Sequence, residues 1–389
     1  MIKTTVLLFG MIITMTVSLR GQVPNCDQAL TDAEPHVLQL LKETLREKND
    51  KIIFPRTVSH DSLKLVASND WTSGFWPGIL WKMYESSGKE IFKTNAEAFT
   101  APIEKEEWNA DSHDVGFKIY SSYGNAYAIT HKDAYKNIIV QAAKTLSARF
   151  NSKVGCIRSW NNKTWSYPVI IDNMMNLELL FEATKLSGDS SFYRIAVSHA
   201  NATLKNHFRA DYSSYHVVDY DTATGKVIKK NTAQGYSDES AWARGQAWGL
   251  YGYTMCYRET KNIAYLEQAD HIANFILTNP NMPADLIPYW DYNVPDKDKA
   301  PRDVSAATIT ASALYELSGY SKNAKMYRMA ADKILNNIIS FYRSPLNSNH
   351  GFILLHSTGH LPANSEIDVP IIYADYYYIE ALQRRKTLK

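Results

Sequence analysis

Two aspartates stand in surroundings that could give a carboxyl group unusual chemistry. Asp172 lies in PVIIDNMMN, directly after Val169, Ile170 and Ile171 and just before two methionines. Because an apolar environment disfavours the charged form, such a carboxyl keeps its proton to higher pH and can act as a general acid. Asp172 also opens a helical pattern, where Asp is a favoured N-cap. The two roles, acid and cap, are compatible, and both stay open here.

Asp114 is the second candidate and lies beside His113 in SHDVGFKIYSSYGNAY, again at the start of a helical run. Its plainer interpretation is another cap, with His113 as a satisfied polar neighbour. If Asp114 and Asp172 begin successive inner helices of one fold, both carboxylates point into one end of the same cavity. Two close carboxylates resist ionising together, so one of them would hold a proton near neutral pH.

The stretch NTAQGYSDESAWARGQAWGLYGY sets Gln234, Arg244 and Trp248 close together where a loop turns into a helix. Ser237 and Asp238 are the predicted N-cap residues of that helix. Arg244 and Trp248 are four residues apart and therefore share one face. A guanidinium fork for a carboxylate beside an indole for a ring suits an acidic sugar. The alternative is a core helix with an ion-paired arginine and glycines that allow tight packing.

Tryptophans and one histidine supply further candidates for a sugar site. Trp71 and Trp76 flank WTSGFWPG, and Trp160 and Trp165 flank WNNKTW. Indole faces stack on pyranose rings, although tryptophans of a large helical protein are mostly core residues. Glycine and proline interrupt WTSGFWPG, which predicts a loop entering a helix, where an exposed tryptophan is more suggestive. His216 stands alone beside a predicted β-hairpin and, from the residues alone, is interpreted as structural.

The common metal and cofactor motifs do not occur in the chain. HExxH is absent, and HSTGH carries His356 and His360 without an obvious carboxylate partner. There is no Walker loop or GxGxxG to cradle nucleotide phosphates, and no GxSxG elbow. We therefore expect chemistry that uses no metal and no cofactor.

The first residues have the pattern of a secretory signal. Lys3 precedes an apolar stretch from Thr5 to Leu19, which is followed by Arg20. The stretch is too short and wrongly flanked for a stable membrane span. We expect residues 1–21 to be removed from an exported protein, periplasmic or secreted, leaving one catalytic domain over residues 22–389.

Charge and cysteine content exclude several classes of partner. The 389-residue chain has 42 Lys and Arg against 40 Asp and Glu, and loss of Lys3 and Arg20 leaves 40 against 40. A neutral chain without a basic cluster has no electrostatic attraction for nucleic acid or an anionic membrane. An acidic ligand must therefore be bound by a local pocket. Cys26, Cys156 and Cys256 are scattered and odd in number, which is not the pattern of a disulfide scaffold.

A weak repeat predicts the elements that position these residues. Four segments share a polar break, then an aromatic residue, then an apolar-periodic helix, and a fifth segment fits less closely. Their aromatic residues are Tyr135, Tyr193, Tyr265 and Tyr327, with Phe92 in the fifth. Each break follows another helix-like run, so the unit is a helical hairpin of roughly sixty residues. Five units and a final helix predict an all-α toroid of six hairpins whose inner helices line a cavity. An open solenoid is the alternative, and a small β-hairpin is predicted near residues 215–232.

Four motifs closely resemble the unsaturated glucuronyl hydrolases of glycoside hydrolase family 88. They are HDVGF, IIDNMMN, TAQGYSDESAWARGQAWGLYGY and DVPIIYADYYYIEAL, and the TAQG…SAWARGQAWG block is the most specific. The resemblance runs from WTSGFWPG to the final helix. It implies an (α/α)6 toroid, in agreement with the hairpin count. It also implies hydration of the 4,5-double bond of the unsaturated uronic acid at the non-reducing end of lyase-made oligosaccharides of chondroitin, hyaluronan or heparin type. Hydration releases the adjacent sugar.

The resemblance also implies roles for individual residues. Asp172 would protonate C4 and assist water addition at C5, while Asp114 would hold substrate and tune Asp172. Arg244 would face the uronate carboxylate or nearby oxygens, and Trp248 would stack on a ring. The implied binding residues are Trp71, His113, Trp160, His216, Gln234, Arg244 and Trp248.

Two alternatives to this function stay open. One is an unsaturated rhamnogalacturonyl hydrolase acting on pectin fragments, and the other is a carbohydrate-binding protein without activity. The loop HSTGHLPANSEIDVP, with Ser357, Ser365 and Glu366, would border the next sugar and lacks an obvious basic residue for a sulfate. The preferred glycosaminoglycan is therefore not predicted.

Overall fold

The computed structural model describes residues 23–388, so the predicted signal at residues 1–21 lies outside the described residues. The helices in chain order are α1 (Cys26–Glu47), α2 (Phe75–Ser87), α3 (Glu90–Thr100), α4 (Val115–Ile119), α5 (Asn125–Thr130), α6 (Asp133–Ser147), α7 (Asn173–Ser187), α8 (Ser190–Asn206), α9 (Ala243–Thr260), α10 (Ile263–Thr278), α11 (Val304–Leu317), α12 (Ala324–Asn337) and α13 (Ile372–Thr387). A π-helical turn, Tyr120–Gly124, joins α4 to α5. The strands are β1 (Phe54–Ser59), β2 (Ser62–Val66), β3 (Phe150–Asn151), β4 (Cys156–Ile157), β5 (Pro168–Ile170), β6 (Val217–Tyr220) and β7 (Val227–Asn231).

Six inner helices form a closed ring. In ring order they are α2, α4, α7, α9, α11 and α13; α13 packs against α2, and α2 also packs on the π-helical turn that continues α4. The helices α3, α6, α8, α10 and α12 return along the outside, each against the inner helix before it, and α1 packs on α13 as the sixth pair. The predicted toroid of six hairpins is confirmed, and its last hairpin joins the two ends of the chain.

The outer helices explain the sequence repeat. Each repeated segment begins one of them. Phe92, Tyr265 and Tyr327 are completely buried, and Tyr135 and Tyr193 are partly buried against Tyr123 and Phe181. A buried ring at a constant place anchors an outer helix whose other face is polar. The repeat is therefore a packing requirement that recurs at each hairpin.

Glycines allow the inner helices to approach closely. A Cβ on Gly116 of α4 would lie 2.4 Å from the Asn176 side chain of α7, and one on Gly252 of α9 would lie 2.5 Å from Met174 of α7. Both distances are far below van der Waals contact, so only glycine fits at these crossings. The glycines of α9 therefore serve tight packing, as one of the two interpretations of this helix proposed.

Aromatic rings close the centre of the toroid. Phe117 packs on Phe75 and on Trp248, with ring centroids 5.8 Å and 5.2 Å apart. Trp248 in turn meets Tyr377 at 5.5 Å, and Tyr377 meets Tyr251 at 5.7 Å. We call this layer of five rings the aromatic floor. It separates the end of the ring that carries the N-termini of α4 and α7 from a cavity of about 170 Å³ at the other end.

Ion pairs link the inner helices on the far side of the aromatic floor. Arg258 of α9 pairs with Glu178 of α7 and with Glu316 of α11, and Arg384 of α13 pairs with the same Glu316. Glu380 of α13 accepts hydrogen bonds from Tyr251 and from Ser312. Burial raises the pKa of Glu380, but the charges of Arg384 and Lys82 outweigh this effect and lower the pKa to about 2. These pairs tie four neighbouring helices together at one end of the ring.

Strand pairing brings two distant segments together. β5, β6 and β7 form an antiparallel sheet in which Ile170 lies opposite Val217. The hairpin β6–β7 confirms the prediction near residues 215–232, and its turn contains Gly225 at φ +71°. β5 was not predicted, because three residues before a helix are too short a pattern to distinguish from a loop. The β1–β2 hairpin near the N-terminus was also missed.

The described residues contain no helix long and apolar enough to cross a membrane. Cys26, Cys156 and Cys256 are all buried and unpaired.

Candidate active site

Asp172 lies between β5 and α7, at the N-terminal end of an inner helix. It occupies the N-cap position, but its side chain makes no capping hydrogen bond, so the carboxyl is available to the site. The side chain is 13% exposed. Burial raises the pKa of Asp172 from 3.8 to about 7, with a further contribution from the charge of Asp114, whereas Arg244 and Trp248 oppose the rise. Near neutral pH this group exists in both protonation states, which a combined general acid and base requires.

His216 faces Asp172 from the start of the adjacent strand. Its Nδ1 accepts hydrogen bonds from the backbone N–H groups of Ala233 and Gln234, both at 3.1 Å. Burial holds the pKa of His216 well below its ordinary value, so the ring is neutral and its proton is on Nε2. That Nε2 lies 3.7 Å from Asp172 Oδ2. The lone histidine interpreted as structural from the residues is therefore a member of the site.

The β5–β6 pairing explains this contact. The backbone N–H of Ile171 donates to the carbonyl of His216 at 3.1 Å, which continues the strand ladder by one residue. Asp172 follows strand β5, and His216 precedes strand β6. Because the two strands pair, the sheet sets the distance between these two side chains. Neither residue type nor spacing revealed this link, because 44 residues separate the two in the sequence.

Asp114 precedes α4 as predicted, at the same end of the ring as Asp172. It accepts a short hydrogen bond from Ser112, and its Oδ1 lies 3.3 Å from His113 Nε2. Asn176 of α7 places the histidine: its amide lies 3.2 Å from His113 Nδ1, while its oxygen accepts from the Phe117 N–H at 2.9 Å. Burial lowers the pKa of His113, so this ring is also neutral. The expected pair of carboxyls at successive inner helices is therefore observed.

Arg244 is buried and already paired. Its Nη1 donates to Asp303 Oδ2 and to the carbonyl of Thr358, both at 2.7 Å, and its Nη2 donates to the carbonyl of Gly359. The guanidinium also lies over the ring of Trp242 at 4.5 Å. The ion-paired alternative for this helix is therefore what the structure shows. Arg244 acts on the site through its positive charge, which lowers the pKa of Asp172.

Trp248 shares a face with Arg244 as predicted, but it is completely buried in the aromatic floor. Phe117 and Tyr377 pack on it, and because the side chain is completely buried it presents no open face for stacking. Its indole N–H acts on the Asp172 carboxyl and favours the ionised form. Trp248 therefore contributes a polar edge to the site where a stacking platform was expected.

The two other predicted tryptophans, Trp71 and Trp160, are half-buried. Trp71 precedes α2 in a loop, as predicted, and lies 4.9 Å from the ring of Tyr373 and 5.5 Å from Phe117. Trp160 lies 5.9 Å from the His216 ring and 5.4 Å from Trp165. Since both retain exposed surface, these two indoles can contact a ligand.

Gln234 connects the site to the loop at residues 356–370, which we call the closing loop. Its side-chain amide donates to the carbonyl of Gly359 at 3.1 Å. Ser237 and Asp238 do not cap α9, so that prediction was wrong: the helix begins at Ala243, and the Asp238 carboxylate accepts from the N–H of Thr232 instead. The intervening turn is fixed by Asp291, which accepts from Tyr236 and from Ser240.

Several buried polar atoms at this end of the ring have no hydrogen-bond partner within the described protein. They include Asp172 Oδ2, His113 Nε2, His216 Nε2, Trp248 Nε1 and Tyr373 Oη. Burying such atoms unpaired costs about 1–3 kcal/mol each, so their convergence indicates a place built for a polar ligand. Asp375 makes the contrast: its pKa is raised to about 8 by burial, yet its oxygens accept from the N–H groups of Ile353 and Leu354. A raised pKa marks both aspartates, but only Asp172 has a free oxygen.

Sequence reasoning missed the residues that place the functional groups. They are Asn176, Trp242, Asp303 and Tyr373. Tyr373 lay within a quoted motif, and Asn176 ended another, so each could have been singled out as a polar residue on an inner helix. Asp303 gave no such signal, since it is 59 residues from Arg244 in the sequence.

No group of three potential metal ligands occurs among residues 23–388. His356 does have a carboxylate neighbour, contrary to expectation, because its Nδ1 lies 2.7 Å from Asp368 Oδ1. That pair is largely exposed and stands alone.

Comparison with known proteins agrees with this geometry. The sequence model of Glycosyl Hydrolase Family 88 matches residues 46–367. An unsaturated glucuronyl hydrolase of Formosa agariphila is 50% identical over 341 residues, covering 86% of this chain and 85% of the relative. An unsaturated chondroitin disaccharide hydrolase of Streptococcus pneumoniae is 33% identical over 369 residues, covering 89% and 92%.

Solved structures give the same result. A crystal structure described as an unsaturated glucuronyl hydrolase specific for heparin superposes with a TM-score of 0.89 at 48% identity, covering 92% of this chain and 97% of that one. The family match includes the motifs that carry Asp114 and Asp172. The chain therefore belongs to glycoside hydrolase family 88, and it is an enzyme of the unsaturated glucuronyl hydrolase kind.

Proposed function

We propose that this enzyme is exported and hydrates the 4,5-double bond of the unsaturated uronic acid at the non-reducing end of glycosaminoglycan oligosaccharides, with Asp172 as general acid and base. One observation carries the assignment of Asp172. Its pKa is raised to about 7, and its Oδ2 is free, beside the neutral His216. A carboxyl in this state can donate a proton at neutral pH and accept one back.

The reaction needs only this one group and water. The protonated Asp172 gives its proton to C4, which leaves positive charge shared between C5 and the ring oxygen. Water adds at C5 and its proton returns to the Asp172 carboxylate, so the group is regenerated. The resulting hemiketal opens to a ketone at C5, the anomeric centre becomes a hemiacetal, and its collapse to an aldehyde releases the neighbouring sugar. One water molecule is consumed, and no metal or cofactor takes part in any step.

The surrounding residues support this chemistry electrostatically. Asp114 raises the pKa of Asp172, while Arg244 and the Trp248 N–H stabilise the carboxylate that forms after proton transfer. His216 Nε2 lies 3.7 Å from Asp172 Oδ2 and has no hydrogen-bond partner among the described residues, so its proton is available to a substrate. Trp71 and Trp160 are partly exposed and so can contact the sugar.

Heparin-type fragments are the substrates we favour for the first test. The similar structure at 48% identity is described as specific for heparin, whereas the pneumococcal relative, named for chondroitin disaccharide, is 33% identical. Export is supported by the apolar stretch between Lys3 and Arg20. N-terminal sequencing of the protein recovered from its own cells tests export, and a mature protein that still begins at Met1 would refute it.

The activity is tested with unsaturated heparin, chondroitin and rhamnogalacturonan disaccharides in deuterated water. We expect the ultraviolet absorbance of the double bond to fall on a glycosaminoglycan substrate, with one deuterium at C4 of the product. If the absorbance falls only with the rhamnogalacturonan fragment, the enzyme acts on pectin fragments instead. Binding without any loss of absorbance would contradict catalysis altogether.

Matched variants test the role of Asp172. Asp172→Asn should lower kcat by at least ~100-fold with little change in binding, because the acid is removed and the shape kept. Asp375→Asn is the control, since it removes a second buried carboxyl with a raised pKa whose oxygens are bound to the backbone. Equal losses in both variants would mean that Asp172 is structural.

A further inference from the structure

The closing loop is held in a conformation that its own residues do not favour. His356, Asn364, Glu366 and Asp368 all have left-handed backbones, with φ of +63°, +50°, +55° and +54°. Non-glycine residues persist in this conformation only where surrounding contacts impose it. The N–H groups of Gly359 and His360 supply some of these contacts from within the loop, and contacts from outside add to them.

The position of this loop matters to the site. Its carbonyls at Thr358 and Gly359 accept from the Arg244 guanidinium, and Gly359 also accepts from Gln234. His360 Nε2 lies 3.0 Å from the carbonyl of Ala233, next to the backbone that places His216. A displaced loop would therefore move Arg244 and Gln234 together.

Arg56 of β1 grips this loop through a two-pronged ion pair. Its Nε and Nη2 donate to the two carboxylate oxygens of Glu366 at 2.5 Å and 2.9 Å. The Glu366 side chain is only 5% exposed, and it packs on Gly359, where a Cβ would lie 2.6 Å from its Oε2. The contact thus passes directly from Arg56 to the carbonyl that accepts from Arg244 and Gln234.

The third donor of Arg56 contacts the turn that carries Trp71. Its Nη1 donates to Asp70 Oδ2 at 2.6 Å. The other oxygen of Asp70 accepts from the N–H and hydroxyl of Thr72, at 2.9 Å and 2.6 Å, which fixes the turn that carries Trp71. One guanidinium therefore joins the closing loop to the turn that carries Trp71.

The neighbouring strand residue fixes the end of the loop. Thr57 donates its hydroxyl to the carbonyl of Pro370 at 2.6 Å, and its backbone bridges to Ile371. Strand β1 thus holds the loop at two points, and Arg56 is the one that reaches the site.

We infer that Arg56 is a positioning residue for the hydrolase reaction, which sets the geometry of Arg244, Gln234 and Trp71 from outside the site by clamping Glu366 and Asp70. Nothing in the sequence marks it, since 310 residues separate it from Glu366. Arginine is required because only a planar fork bonds both oxygens of one carboxylate while a third N–H reaches another. Lysine would keep the charge and lose the geometry.

Kinetics of paired variants test this inference, and this part of the test rests on the proposed function. We expect Arg56→Met to lower kcat/KM by roughly 10- to 100-fold, mostly through KM, because a misplaced binding group weakens substrate positioning. Arg56→Lys should recover only part of the loss. Arg385→Met is the matched control: Arg385 is 14% exposed against 19% for Arg56 and also grips one carboxylate, Asp332, with two donors, at the far end of α13.

Hydrogen exchange of the closing loop is a second measurement that needs no activity. The N–H groups of Gly359 and His360 donate to the carbonyls of Glu366 and Ser365. We expect both to exchange faster in Arg56→Met and in Glu366→Gln, but not in Arg385→Met. Kinetics and exchange unchanged from the control would overturn the inference. Failure of the wild type to turn over any substrate, with exchange altered as expected, would overturn the proposed function and leave the clamp established.

Discussion

Replacing Asp172 by Asn makes a prediction about stability as well as activity. In the unfolded chain this carboxyl ionises above its ordinary pKa of 3.8, whereas in the folded protein burial keeps it protonated up to about 7. Between these values the unfolded state loses its proton first, so the free energy of unfolding falls as pH rises and is fully reduced above pH 7. Near neutral pH the buried Asp172 carboxyl therefore lowers the free energy of unfolding of the wild type, whereas an uncharged side chain at this position does not.

The size of that cost follows from the two pKa values. A rise from 3.8 to about 7 corresponds to roughly 4 kcal/mol at alkaline pH, of which a little under half, roughly 2 kcal/mol, is already present at pH 5. Asp172→Asn should therefore gain roughly 2 to 3 kcal/mol more over wild type at pH 8 than at pH 5. With an unfolding entropy of ~2.1 cal/mol/K per residue over some ~370 residues, this is a change of about 3 °C in Tm.

The assay is thermal unfolding of wild type and variant at both pH values. Constant effects of the substitution, such as an altered hydrogen bond, cancel when the two Tm differences are compared. Asp221→Asn is the control, because the backbone N–H groups of its turn lower the pKa of Asp221 and its contribution does not change above pH 5. If the Tm difference for Asp172→Asn is the same at pH 5 and pH 8, the carboxyl does not have a raised pKa and the acid assignment loses its physical basis.

Three further predictions concern the neighbours of this carboxyl and the ring that carries it. Asp114→Asn removes a charge that raises the pKa of Asp172, so the alkaline limb of the kcat–pH profile should move to lower pH; an unmoved limb would contradict the coupling. Trp248→Phe removes an N–H that favours the Asp172 carboxylate, so the same limb should move to higher pH, which the same profile checks. Gly116→Ala places a Cβ 2.4 Å from the Asn176 side chain and should lower the free energy of unfolding in urea by about 1–3 kcal/mol, and a neutral effect would show that the α4–α7 crossing is loose.

The toroid could be predicted from the sequence because its repeating unit, a helical hairpin, is formed by residues that are close together in the chain. A helical hairpin packs mostly against itself and its neighbours, so polar breaks and buried aromatics such as Tyr265 and Tyr327 repeat where the packing repeats. The carboxyls of Asp114 and Asp172 could be found for the same reason, since each begins an inner helix. The β1–β2 hairpin and the short strand β5 break this pattern and gave no periodic signal.

Side-chain environments could not be read in the same way. Arg244 was predicted to meet a ligand, but its partners are Asp303 and the carbonyl of Thr358, which come 59 and 114 residues later. Trp248 looked like a stacking platform, yet the rings that cover it belong to α4 and α13. The start of α9 was misplaced because Asp238 bonds to Thr232 across a turn rather than to its own helix. Each of these partners is distant in the sequence and is brought near only by the folded ring.

Because the aromatic floor closes the centre of the toroid, the site is a pocket that is open at one end. A sugar chain cannot be threaded through it, so only a terminus can reach Asp172, and the released uronate must leave by the mouth through which the substrate came. Arrival of the next chain and departure of the last product therefore compete for one passage. Each turnover must therefore end with release of the product before the next chain end can bind.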